Sequence, residues 1–149
     1  LTTLVSQTLE TELVQEIRFN LSTRLHLGAM IPYLFMFNSP DGVFTFNLLK
    51  GVQTIFSKSF TCADIRASLS TMDDYAHVFY PIIPDDLIQI ENGLYTFKLT
   101  ASGYTNTQAS FLGWIQQHEN IQNEMDYIPK NDEANSFAIR FKEYKEGIQ

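Results

Sequence analysis

The strongest constraint on the fold is an alternating stretch that the chain carries twice. Asp41-Gly42-Val43-Phe44-Thr45-Phe46-Asn47-Leu48 returns, at an offset of 51 residues, as Asn92-Gly93-Leu94-Tyr95-Thr96-Phe97-Lys98-Leu99. Each copy opens on Asp-Gly or Asn-Gly, a turn signal in which glycine supplies the positive φ that leads into a strand. After the glycine, Phe44, Phe46 and Leu48 alternate with Thr45 and Asn47, and Tyr95, Phe97 and Leu99 alternate with Thr96 and Lys98. A period of two places one apolar and one polar face on an extended strand. At the same offset Thr54 meets Thr105, and Ser59-Phe60 meets Ser110-Phe111. Matches at one offset suggest two equivalent supersecondary units within one fold, each contributing a core strand.

The rest of the chain follows the same period. Ile17, Phe19 and Leu21 alternate with Arg18, Asn20 and Ser22, and Leu25, Leu27 and Ala29 continue after a break near Thr23. Residues 33–37 are almost wholly apolar, as in a central strand covered on both faces. Gln53–Phe60 reads as a strand, Thr61–Leu69 as a short helix or strand, and Ala76–Ile83 as a strand interrupted by Pro81. Phe111–Ile115 is expected to be a strand running into a loop, and Phe137, Ile139 and Phe141 mark a last strand. Residues 1–16 admit an N-terminal helix or an arm reaching a neighbouring subunit. The expectation is therefore an all-β protein: an antiparallel β-sandwich of about eight strands with jelly-roll topology, as residues 17–149 behind an arm of residues 1–16.

A chain of 149 residues buries roughly 70% of its unfolded surface and needs no metal or disulfide to hold a core. Charged residues are 18%, below the usual share of about 25%, which fits a surface partly covered by other subunits. The net charge of −7 and ten scattered basic residues argue against nucleic acid and anionic membranes as partners. The longest apolar run, 25–37, is broken by His26, Gly28 and Pro32 and falls short of a membrane span. Cys62 is the single cysteine; it can form neither an intrachain disulfide nor a cysteine-based zinc site. Its repeat counterpart, Gly113, suggests a small buried strand residue.

Two runs carry a family likeness. Gln15-Glu16-Ile17-Arg18-Phe19-Asn20-Leu21 resembles the opening strand of galactose-binding-like, carbohydrate-binding-module-type jelly rolls. Phe79-Tyr80-Pro81-Ile82-Ile83, Leu87 and Glu91-Asn92-Gly93-Leu94-Tyr95-Thr96-Phe97-Lys98-Leu99 resemble their later half. Such domains recur in bacteriophage virion proteins. The resemblance spans roughly residues 15–142 and implies a non-enzymatic structural component of a virion, a capsid decoration or tail protein. It would assemble with copies of itself or with other virion proteins. It also implies a second possibility, a module binding surface glycan.

No catalytic constellation is readable. His26, His77 and His118 are scattered, and there is no Gly-x-Ser-x-Gly, metal-binding histidine pair or phosphate-cradling loop. Asp73-Asp74 and Asp85-Asp86 are candidate carboxylates for calcium, without the Asp-x-Asp-x-Asp-Gly loop that would hold it. Neither cofactor nor metal is expected. For a glycan, the candidates are Trp114, Tyr75, His77 and Tyr104, with Asp73, Asp74 and Asn106 as polar partners. An aromatic ring covers a sugar's C–H face while carboxylates and amides fix its hydroxyls. If Phe111 and Ile115 face the core, Trp114 falls on the opposite face, in solvent or in a subunit contact.

Overall fold

The computed structural model describes residues 4–69, 73–117, 127–129 and 137–143. Eleven strands and one helix follow in order: β1 (Leu4–Thr8), β2 (Glu12–Phe19), β3 (Leu25–Phe37), β4 (Val43–Lys50), β5 (Gln53–Phe60), α1 (Cys62–Ala67), β6 (Tyr75–Phe79), β7 (Gln89–Ile90), β8 (Gly93–Ser102), β9 (Phe111–Gln117), β10 (Tyr127–Pro129) and β11 (Phe137–Glu143). Outside the described residues lie 118–126, where His118, Ile121 and Met125 share helical spacing with Phe111, Trp114 and Ile115 as an alternative to strand and loop, the polar segment 130–133, and the acidic tail after Glu143.

The pairings read as one long hairpin folded back at Gly51-Val52. β4 pairs β5, β3 pairs β6, β2 pairs β8 and β1 pairs β9, all antiparallel. Rolled up, this ribbon gives one sheet in the order β1-β9-β3-β6 and a second in the order β2-β8-β4-β5. Successive strands change sheets everywhere except at the β4–β5 hairpin and around the short β7, the arrangement of a jelly roll. β7 extends the β6 side of β3, β11 lies along the N-terminal half of β3, and β10 borders β2. The expected antiparallel sandwich holds.

Alternate side chains from both sheets meet in the core. β2 contributes Leu13, Ile17 and Phe19, β4 Phe44, Phe46 and Leu48, and β8 Tyr95, Phe97 and Leu99. From the other sheet come Leu34 and Met36 of β3 and Leu112 and Trp114 of β9. The β3–β11 register shifts where Ala29 pairs Arg140 and Leu27 pairs Phe141, leaving Gly28 as an extra residue. That bulge explains how Leu27 and Met30, of opposite parity, both reach the core.

Three expectations are corrected. Residues 4–16 are neither a helix nor a separate arm: β1 is the edge strand beside β9, and β2 runs through the expected boundary at residue 16. The repeated stretches do not belong to two opposed halves. They are neighbours in one sheet, with Phe46 opposite Leu99 and Leu48 opposite Phe97. Their likeness is local: Gly42 and Gly93 take φ of 126° and 131°, and both lead into core strands. Downstream the equivalence fails, because Ser59-Phe60 closes β5 whereas Ser110-Phe111 leads into β9 of the other sheet. Consequently Cys62 does not match Gly113 in structure; it opens α1, behind the capping box of Thr61 and Asp64.

Candidate functional site

The two sheets differ on their outer faces. On β2, β8 and β4 the outward positions include Glu12, Glu16, Arg18, Thr96, Lys98, Thr100, Thr45 and Asn47, with Val14, Leu94 and Val43 as scattered apolar residues. That is the surface of a solvated antiparallel sheet. The outer face of the β9-β3-β6 sheet is different. Because Leu34 and Met36 point into the core, Tyr33, Phe35 and Phe37 point out. The same parity turns Tyr75, His77 and Phe79 of β6 outward, and Phe111, Gly113 and Ile115 of β9.

Register brings these side chains together. Tyr33 pairs with Phe79, Phe35 with His77 and Phe37 with Tyr75 across β3–β6; Phe35 pairs with Gly113 and Phe37 with Phe111 across β3–β9. The Tyr33 and Phe79 rings stack with centroids 4.2 Å apart and planes 9° apart. Phe35 lies 5.8 Å from Phe111 and 6.2 Å from Tyr75, and Tyr75 is 4.9 Å from His77. Gly113 makes this cluster possible. A Cβ there would meet Phe35 Cζ at 2.5 Å and collide with the Gln7 carbonyl oxygen. The Phe35 ring thus covers the glycine on the neighbouring strand and is itself buried, at 3% exposure. At the rim Tyr75 and Phe79 stay about half exposed, at 48% and 52%.

Of the seven candidate glycan residues, the structure brings only Tyr75 and His77 together. Trp114 is fully buried, and its Nε1 donates to Gln7 Oε1 at 2.8 Å. The parity expectation was inverted: Leu112 and Trp114 face the core while Phe111 and Ile115 face out. Tyr104 is half-buried against Phe44, and its hydroxyl donates to the Leu9 carbonyl at 2.9 Å and accepts from the Leu112 N–H at 3.1 Å. Asp73 and Asp74 serve through their backbone carbonyls, which accept from the Arg66 guanidinium. Asn106 is exposed in the β8–β9 connection. Sequence reasoning missed Tyr33, Phe35, Phe37, Phe79 and Phe111. The signal was present, since aromatics fill every second position of residues 33–37 and, with His77, of 75–79.

Away from this face, an open cavity of about 730 Å³ lies between the 39–42 turn and α1. Arg66, Cys62, Asp41 and Ser39 line it. Arg66 is buried, and its Nε donates to Ser39 Oγ at 2.8 Å, so the guanidinium is committed to holding three segments together. Burial pushes the Cys62 thiol up to about 11, which keeps it protonated and non-nucleophilic at neutral pH. Among the described residues no group of three His, Cys, Asp or Glu side chains is placed to hold a metal.

Comparisons of the chain with family models, with curated proteins and with solved structures find no match.

Proposed function

We propose that the protein is a non-enzymatic structural component that works by packing its aromatic sheet face against other subunits, copies of itself first among them. The setting is a phage virion, as a capsid decoration or tail protein; it rests on the resemblance of the opening strand and of the Gly93–Leu99 half. The mode of action rests on one observation: one sheet is polar outside, and the other carries six aromatic rings and an imidazole there.

Exposed apolar surface of this kind marks an interaction site, because covering it removes water from apolar area at about 25 cal/mol per Å². The aromatic cluster on β9, β3 and β6 includes no Lys, Arg, Asp or Glu among its described residues, and Arg140 and Lys142 of β11 lie exposed on the same sheet. Copies carrying −7 each can therefore meet through the cluster without opposing acidic side chains among the described residues. The ring geometry favours interdigitation over a flat ligand. Tyr33 and Phe79 occupy opposed positions of adjacent strands with parallel planes, so their faces are spent on each other and their edges point outward.

The test is sedimentation equilibrium. Association at micromolar concentration is expected; Phe79→Glu weakens it at least tenfold, and Thr96→Glu on the polar sheet leaves it unchanged. A monomer at several hundred micromolar rejects the reading. Tyr75 and His77, adjacent and exposed, favour a second reading as part of a glycan-binding surface. A glycan array without hits, or binding unaffected by Tyr75→Ala, would dispose of it.

A further inference from the structure

We infer that assembly through the aromatic face is switched by pH, with the His77 imidazole as the sensor. This rests on the self-packing reading above. Histidine is the residue type whose side chain changes charge between weakly acid and neutral solution, and His77 is the one histidine among the described residues of the aromatic cluster. It projects from the middle of β6 between Tyr75 and Phe79, opposite Phe35.

The groups facing the imidazole come from two strands. Tyr75 on β6 lies 4.9 Å away and tilted by 52°, Tyr33 on β3 lies 5.9 Å away edge-on, and Phe35 on β3 lies 6.4 Å away. Phe111 on β9 contacts Phe35 and Tyr75. Among the described residues no carboxylate, lysine or arginine forms an ion pair with His77. Asp73 and Asp74 precede β6 and are tied to Arg66 through their carbonyls. In a single copy the exposed imidazole keeps its water in either protonation state. In a packed pair that water is removed, and none of the described residues of the face replaces it with negative charge. Attraction of the cation to the surrounding rings strengthens as water leaves, but it is smaller than the cost of stripping the ion's hydration.

Desolvation disfavours the charged form, so protonation of the imidazole and packing of the face oppose each other. By linkage, association is strongest where the imidazole is neutral and weakens as acid protonates it. Each symmetric pair carries two copies of His77. A penalty of about fivefold for each imidazole therefore becomes a rise of about 25-fold in the dissociation constant at pH 5.5.

The experiment measures the dissociation constant of the wild-type chain, His77→Phe and His77→Gln at pH 8.0 and 5.5 by analytical ultracentrifugation, with circular dichroism to confirm folding. Wild type is expected to associate at pH 8.0 and dissociate at 5.5, whereas both variants associate equally at either pH. A wild-type constant that is unchanged at pH 5.5 overturns the switch and leaves the self-packing reading standing. Variants that dissociate in acid like the wild type overturn the assignment to His77. A wild type that is monomeric at both values removes the self-packing reading, and the switch with it.

Discussion

Single residues decide where the aromatic face can exist. Gly113 stands mid-strand, a position where glycine ordinarily weakens a sheet, and it is tolerated because the Phe35 ring lies across it. Gly113→Ala puts a methyl group into that ring and against the Gln7 carbonyl. The expected cost is about 1–3 kcal/mol, the range for forcing an extra carbon into a packed site, read as a lower urea midpoint with an unchanged slope. Stability equal to wild type would show that both the Phe35 ring and the β1 backbone at Gln7 give way freely. Trp114 carries the converse lesson. An indole that looks in sequence like a ligand platform is consumed by the core, its N–H satisfied by Gln7, because one step of strand parity reverses every side chain on β9.

At the scale of elements, the long β3 and the short α1 organise the molecule. β3 spans 13 residues and pairs with β6, β7, β9 and β11, so its outward Tyr33, Phe35 and Phe37 receive partners from both sides. α1 is too short to be held by its own hydrogen bonds. It is fixed by its capping box and by Arg66, which joins it to the turn after β3 and to the start of β6. Arg66→Ala leaves two carbonyls and a hydroxyl without their donor, and should cost about 2–4 kcal/mol in urea unfolding. Arg66→Lys, a single point charge unable to span all three acceptors, should recover less than half of that. Full recovery by lysine would show that charge, not the fork of donors, is what matters. The helix was not settled by sequence: extended and helical readings stayed open over Thr61–Leu69, and the capping box of Thr61 and Asp64 was not read as its start. Nothing in the local sequence shows that Arg66 finds acceptors in two other segments.

For the whole molecule, the contrast between a polar outer sheet and an aromatic one sets how it should associate. Contact through an uncharged aromatic cluster between copies of net charge −7 gains from salt, which screens their mutual repulsion without weakening apolar burial. Raising sodium chloride from about 0.05 M to 0.5 M should therefore hold or tighten association in sedimentation runs, whereas an interface built on ion pairs would loosen. Loosening would move the contact to another surface. What the sequence determined alone is the class and most of the strands, because a period of two and Gly-led turns are local properties that survive without knowledge of neighbours. The 17–149 boundary, the exposed Trp114 and the two opposed halves did not survive. Which strands lie side by side, which parity faces in, and whether alternate aromatics become core or surface depend on contacts between residues far apart in the chain. The doubled Gly-aromatic stretch shows both sides of this. Its alternation dictated two core strands, and only the tertiary fold set them edge to edge in one sheet and left the rings of β3, β6 and β9 to form the outer face of the other.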